Sequence, residues 1–448
     1  MTKETTSAQT GGMWPYYPEL LATPVPRYTS FPIAAEFGDI GPDAYPAALE
    51  AARGDASLYL HIPFCEKVCH YCGCNTGAAG KRQRLDSYLA ALHREIETVA
   101  ALCAGNLRIR RVAFGGGSPN AIAPVDFVRL IDSLTVRFGM TSPEFSIELD
   151  PRTMSAEWAA VIQTVGITRA SLGVQTFAPH CQQAIGRVQE ERLIARTVEW
   201  LRGAGVTSLN FDLMYGLPGQ TRGDLLDTLE RSVTLGADRI ALFGYAHVPH
   251  IVPRQRAIDG TGLPGQAERF ALAALGHEYL TAADYTPVGF DHFALAGDPL
   301  AQAVRGNTLR RNFQGFTDDG APLLIGLGAS AISSFPHLLA QNEKNSGRYR
   351  MLAGQGRLTA GRGIARSGGD RQRGAAIEAL LCQGQARLPE PLAASLRLPL
   401  QPFAARGLAM LEDGWLRIAS AGLPYARTVA ALLDPYRVQS ARRFGSAV

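Results

Sequence analysis

The chain has 448 residues, too many for one compact core, and its 46% hydrophobic and 19% charged content suits a soluble globular protein. A net charge of +4, forty arginines against four lysines and no run of five basic residues argue against a nucleic-acid partner. No apolar run reaches the ~18 residues of a membrane helix and no basic-then-apolar leader opens the chain, so membrane insertion and secretion are not expected and a cytoplasmic location is.

Residues 1–45 are rich in Pro and aromatics with little periodicity, which predicts an irregular arm that packs on the rest. Strand-like runs then follow at Leu58–Ile62, Arg111–Phe114, Phe145–Leu149, Ala170–Val174, Ser208–Met214 and Ile240–Tyr245, with a further one at Val288–Phe293. Helical patterns such as Arg84–Leu102, Pro124–Phe138 and Arg192–Ala204 lie between them. Strands alternating with helices predict βαβ units and a parallel sheet, and six or more units predict an α/β fold built as a partial (β/α) barrel over 46–340. The Gly- and Arg-rich stretch 341–374 reads as a connecting region. Residues 375–448 read as a small, mostly helical C-terminal domain with a short strand near Trp415–Ala419.

Of the seven cysteines, four fall within ten residues: Cys65, Cys69, Cys72 and Cys74. Cys103, Cys181 and Cys382 are scattered and read as small buried hydrophobes. A disulfide framework would spread its cysteines and is rare in the cytosol, so the cluster reads as a metal site. Three thiolates at C-x3-C-x2-C, directly after a strand, can bind three irons of a 4Fe-4S cluster and leave the fourth iron open. That open iron can chelate the amino and carboxylate groups of S-adenosylmethionine. Zinc sites more often use paired C-x2-C motifs or His partners, and no second pair is present. Cys74 as a fourth ligand would remove the open iron, so it is read as a thiol beside the cluster.

Gly115-Gly-Gly-Ser-Pro119 ends the second strand, where a bare backbone edge can approach a ligand. Strand alternation also places polar residues on one face: Glu148 opposite Phe145, Ile147 and Leu149; Gln175 opposite Leu172 and Val174; Asp212 opposite Leu209, Phe211 and Leu213; and Tyr59 with His61 opposite Leu58 and Leu60. Repeated near the C-terminal ends of several strands, this pattern predicts a polar pocket. His61 and His292 are read as structural.

These residues carry a resemblance. Pro26-Arg-Tyr-Thr-Ser-Phe-Pro32, Tyr59-Leu-His-Ile-Pro-Phe-Cys65, the C-x3-C-x2-C-x-C run, Gly115–Pro119, Ser146-Ile-Glu-Leu-Asp-Pro151, Gly173-Val-Gln-Thr-Phe177, Asp212-Leu-Met-Tyr-Gly-Leu-Pro218, Tyr245-Ala-His247, Asp291-His-Phe293, Arg311-Asn-Phe-Gln-Gly315 and Gly326–Ser333 are similar to those of oxygen-independent coproporphyrinogen III dehydrogenase. This is a radical S-adenosylmethionine family of haem biosynthesis. The resemblance implies that Cys65, Cys69 and Cys72 hold the cluster. It implies that Tyr59, Gly116, Gly117, Ser118, Glu148, Gln175, Arg187, Asp212 and Ala246 line a first S-adenosylmethionine site, and that Phe313, Gln314 and Ile332 help hold a second molecule. The implied reaction converts two propionates of coproporphyrinogen III to vinyl groups, giving protoporphyrinogen IX, in a monomeric enzyme. No motif names the electron donor or acceptor. The substrate's four carboxylates call for cationic anchors, for which Arg27, Arg310 and Arg311 are candidates, and the N-terminal arm is expected to close over the site as a lid. A haem-binding chaperone and a haem ring-opening radical enzyme would share the cluster. The chaperone is expected to lack Cys74 and the arm motif.

Overall fold

The computed structural model describes residues 12–80 and 82–437. The expected arm and C-terminal domain therefore extend, at 1–11 and 438–448, outside the described residues. Six strands, β1 (Gly54–Ile62), β2 (Leu107–Gly116), β3 (Glu144–Leu149), β4 (Arg169–Gln175), β5 (Ser208–Tyr215) and β6 (Arg239–Gly244), lie side by side in chain order, all parallel. Helices α1 (Arg82–Cys103), α2 (Pro124–Phe138), α3 (Ala156–Val165), α4 (Glu191–Gly203) and α5 (Arg222–Thr234) make the crossovers. Short signals fix their ends. Ser155 caps α3 by accepting from the Trp158 N–H, and Thr221 and Asp224 form a reciprocal capping box on α5.

A seventh parallel strand, β7 (Leu323–Leu327), pairs on the free side of β1. Antiparallel strands Ile332–Ser334, Leu338–Asn342, Ala360–Ala365 and Gly38–Asp39 extend that edge, and a hairpin extends the other beyond β6. The two edges do not pair, so the barrel is partial, as expected. Residues from all six strands β1 to β6 nevertheless line one interior space, for example Leu58, Ala113, Glu148, Ser171, Asp212 and Phe243. On the outer face, Leu60, Val112, Phe114, Leu172 and Phe211 bury completely against the helices, and Phe114, Phe127 and Trp158 stack at 4.6 and 5.1 Å. Such burial is the main stabilising term.

Two expectations differ from what is found. Val288–Phe293 is not one strand but the turn and inner ends of the hairpin Tyr285–Val288 and His292–Leu295. Gly289 has φ +62° there, and its Cα faces the Phe316 ring so closely that a Cβ would overlap it. The stretch 341–374 is not a bare connection. It carries a helix, Ser346–Gly354, and the sheet strand Ala360–Ala365. Its polar composition suits a mostly exposed strand near the sheet edge, and a Cβ on Gly363 would stand 2.0 Å from the Leu339 carbonyl oxygen.

The C-terminal part contains α7 (Gly368–Gln383), α8 (Glu390–Ala404) and a small sheet with Trp415–Ile418 as its central strand. The arm shares its core: Trp14, Leu21, Val25, Tyr28 and Phe31 bury with Leu380, Leu396, Phe403 and Tyr425. Tyr425 Oη accepts from the Tyr17 N–H (2.8 Å) and donates to the Pro15 carbonyl (2.7 Å). The arm is thus part of the C-terminal core rather than a free lid. Inside the barrel, Asp318 forms paired bonds with both Arg111 (2.7 and 2.8 Å) and Arg169 (2.7 and 2.8 Å). This anchors the hairpin Arg310–Asn312/Gly315–Thr317 to the barrel wall.

Candidate active site

The cysteine loop leaves β1 at Pro63 and is pinned on both flanks. Phe64–Cys65 pairs with Gly77–Ala78, the Ser118 N–H donates to the Phe64 carbonyl (2.8 Å), and Gln255 Nε2 donates to the Tyr71 carbonyl (2.9 Å). Gly117 is needed where this loop crosses the end of β2, because a Cβ there would lie 2.5 Å from the Phe64 carbonyl oxygen. His61 sits buried between the Tyr59 hydroxyl (3.1 Å) and the Asn75 carbonyl (3.0 Å), and burial lowers its pKa. Through Asn75 it braces the loop. Cys103, Cys181 and Cys382 are buried, and burial pushes their thiols up to about 11, 12 and 12.

The loop borders a cavity of about 420 Å³ at the C-terminal ends of the strands, lined by Cys65, Cys69, Cys72 and Cys74 together with Gly116, Gly117, Glu148, Gln175, Arg187, Asp212 and Ala246. Among the described residues no three His, Cys, Asp or Glu side chains converge as ligands of a single ion. Thiols spread along a loop fit a cluster, whose irons are separate, better than a lone zinc. The surroundings fit an anionic thiolate set: Arg152 Nη2 and Arg187 Nη1 each approach Cys69 Sγ at 3.4 Å. Asp150 holds both guanidiniums, at 2.6 Å from Arg152 and 3.2 Å from Arg187. Arg187 also donates to the Gly173 carbonyl (3.0 and 2.6 Å), close enough that a Cβ on Gly173 would stand 2.9 Å from its Nη2.

Opposite the thiols, the wall is acidic. Glu148 accepts from the Gly116 N–H (3.2 Å), and its carboxyl is pushed up to about 7 by burial and then by the nearby charge of Asp212. Asp212 accepts from Ser171 Oγ (3.1 Å) and Asn210 Nδ2 (2.8 Å), and burial raises it too. Two carboxyl groups facing one space in this way favour a cationic or multiply hydroxylated ligand. Gln175 reaches the cavity through a left-handed backbone (φ +68°) at a register shift at the end of β4.

Residues 59–231 match the family model of the radical SAM superfamily. The chain is 38% identical over 426 residues to oxygen-independent coproporphyrinogen III oxidase of Bradyrhizobium diazoefficiens, covering 92% of this chain and 94% of that one. It is 36% identical to the Escherichia coli protein of the same name, at 93% and 94% coverage. The chain belongs to the oxygen-independent coproporphyrinogen III oxidases. The solved structure of coproporphyrinogen III oxidase from Escherichia coli, described as a radical SAM enzyme, superposes with a TM-score of 0.86 at 34% identity, over 92% of this chain and 97% of that one. A 4Fe-4S cluster and S-adenosylmethionine are the cofactors of this radical SAM family.

For this coproporphyrinogen III oxidase, the residues expected from the sequence fall into three groups. The three cysteines and most of the first-site residues meet at the cavity. Tyr59 and Ser118 do not line it; Ser118 is buried and donates to Asn120 Oδ1 (2.6 Å), bracing the glycine turn from behind. Phe313, Gln314 and Ile332 are dispersed: Gln314 lines the interior space together with Glu148 and Asp212, Phe313 lines a cavity between barrel and arm, and Ile332 lies in the strand beside β7. Reasoning from the sequence missed Asp150 and Arg152, although the first lies within the quoted Ser146–Pro151 run and the second follows it directly. Arg310 is taken by Glu378 (2.8 Å). Among the described residues no helix is long and apolar enough to cross a membrane.

Proposed function

We propose that this chain oxidatively decarboxylates two propionate side chains of coproporphyrinogen III to vinyl groups, giving protoporphyrinogen IX for haem synthesis, with an external electron donor and acceptor. The observation that supports this best is the pairing of a cysteine loop at the barrel mouth with full-length similarity to enzymes of that name. When bound, the cluster and S-adenosylmethionine would supply the radical chemistry for hydrogen-atom abstraction at a propionate β-carbon.

The chain's residues orient and shield this chemistry. Cys65, Cys69 and Cys72 hold the cluster, and Cys74 stays beside it without binding iron. Arg152 and Arg187 offset the thiolate charge at Cys69. The turn at Gly116–Gly117 and the side chains of Glu148, Gln175 and Asp212 position the first S-adenosylmethionine, with Arg187 and Ala246 setting the walls and Tyr59 and Ser118 supporting them from behind. A second S-adenosylmethionine extends into the interior space reached by Gln314, with Phe313 and Ile332 supporting it. The enzyme acts as a cytoplasmic monomer.

The test is an anaerobic assay of the iron- and sulfide-reconstituted protein with S-adenosylmethionine, reductant, acceptor and coproporphyrinogen III. Loss of two carboxyl groups with matching 5′-deoxyadenosine is expected. 5′-Deoxyadenosine without tetrapyrrole conversion would remove this substrate. Equilibrium dialysis against labelled S-adenosylmethionine should give two molecules per chain, and one would remove the second site.

A further inference from the structure

Beside the reaction cavity, four arginines from distant parts of the chain come together. Arg27 lies in the arm, Arg269 in α6 (Gln266–Ala282), Arg311 in the anchored hairpin and Arg427 in the C-terminal part. Asp291 binds Arg27 at 2.5 Å, and its charge also acts on Arg311 and Arg427. Glu378, also near Arg311, is bound by the Arg310 side chain (2.8 Å) and the Arg311 N–H (3.0 Å). Burial works against ionisation of Asp291, yet the charges of Arg27 and His292 hold its carboxyl well below the usual range.

The guanidiniums are held flat on aromatic rings. Arg27 lies 4.5 Å from the Phe243 centroid, Arg311 lies 4.2 Å from Phe316 and 5.1 Å from Phe290, and Arg427 covers Phe290 at 5.2 Å. Such stacking fixes the plane of each guanidinium, and Arg311 is further held by donating from Nε to the Tyr28 carbonyl (3.2 Å) and from Nη2 to the Arg27 carbonyl (3.0 Å). Two donors remain buried with no partner, Arg311 Nη1 and Arg269 Nε. Leaving charged donors unpaired is costly unless a ligand satisfies them. The group adjoins the reaction cavity directly: Arg27, Phe243, Gly244 and Tyr245 line that space, and a Cβ on Gly244 would lie 3.2 Å from Arg269 Nη2.

We propose that Arg27, Arg269 and Arg311 form a carboxylate-binding collar that seats the propionates of the tetrapyrrole that are not reacting. This rests on the substrate reading above. Arg310 is not part of the collar, whereas Arg269 joins it. The collar selects substrate by the number and position of its carboxylates, and the aromatic rings face its apolar body. A carboxylate is also present in S-adenosylmethionine, so the test separates the two sources.

The holoenzyme would be titrated anaerobically with coproporphyrin III, the fluorescent oxidised form of the substrate, and with its tetramethyl ester. The native protein should bind the free acid at least ~10-fold more tightly than the ester, a comparison that needs no variant. Arg311→Gln and Arg269→Gln should each weaken the free acid by ~10- to 100-fold, as for a hydrogen bond to a charged group, and leave the ester and S-adenosylmethionine unchanged. Arg27→Gln, on a half-exposed side chain, repeats the comparison if either buried variant does not fold. Equal binding of acid and ester, or variants that bind the acid like the native protein, would overturn the collar while leaving the substrate reading intact. Equal loss of S-adenosylmethionine would give the arginines to the cofactor instead. Binding of neither porphyrin by the native holoenzyme would remove the substrate reading, and the collar with it.

Discussion

The two walls of the reaction cavity are built in opposite ways. The cysteine wall is one short loop, Cys65 to Cys74, pinned by backbone hydrogen bonds to the adjacent strand ends. A second wall, lined by Arg27, is backed by Arg269, Asp291, Arg311 and Arg427 from segments that only folding brings together. The first wall is coded by spacing along the chain, the second by topology. The comparison teaches that cofactor chemistry can be local while substrate selection depends on the docking of arm, barrel and C-terminal core.

If the walls are separable, damage to each should have a different signature. The largest effect is expected at the local wall. Cys69→Ala should abolish cluster assembly and turnover, read by iron content and visible absorbance, and retention of a full cluster would contradict the ligand set. Removing residues 1–30 takes Trp14, Leu21, Val25 and Tyr28 out of the C-terminal core, where each large buried side chain contributes ~2–5 kcal/mol. Turnover should be lost and the C-terminal domain should become protease-sensitive, while iron content stays native. Loss of the cluster as well would show that the walls are not independent.

A smaller effect is expected inside the barrel. Asp318→Asn removes one of the two carboxylates that Arg111 and Arg169 share, Glu144 being the other, which should cost about 3–5 kcal/mol in a denaturant titration. A change under ~1 kcal/mol would show that the anchoring of the hairpin is not electrostatic. The smallest effect concerns pH. Glu95, 2% exposed, accepts from Tyr349 Oη (2.7 Å), Asn342 Nδ2 (2.7 Å) and the Gly328 N–H (2.7 Å). Burial nevertheless pushes its carboxyl from 4.5 up to about 7. A raised folded pKa means that its contribution is fully present below about 4.5 and is lost as pH rises through about 7. The span corresponds to on the order of 3 kcal/mol. Glu95→Gln should flatten the stability profile between those pH values, and an unchanged profile would remove Glu95 as its source.

Much of the barrel was legible because its strands alternate. Leu209, Phe211 and Leu213 are fully buried while Asp212 faces the cavity, as period-two patterning requires. The cysteine loop was legible because its ligands are close in sequence. The strand Ala360–Ala365, one in from the sheet edge, was not, because its short Ala- and Gly-rich run carries no alternating core pattern. The hairpin at 285–295 was hidden within an apolar run whose turn lacks an Asn-Gly or Asp-Gly signal. Asp291 and Arg269 could not be paired with a role by spacing, since their neighbours arrive from the arm and the C-terminal part. Ser118 matched a family motif yet stands behind the glycine turn, which no linear pattern distinguishes from facing the cavity.

The central claim is that this cavity directs hydrogen-atom abstraction to a propionate β-carbon. The most direct measurement supplies coproporphyrinogen III deuterated at those carbons and follows the 5′-deoxyadenosine by mass spectrometry. One deuterium in each 5′-deoxyadenosine, with loss of carbon dioxide from the same side chain, is the predicted result. Unlabelled 5′-deoxyadenosine alongside a decarboxylated product would contradict it.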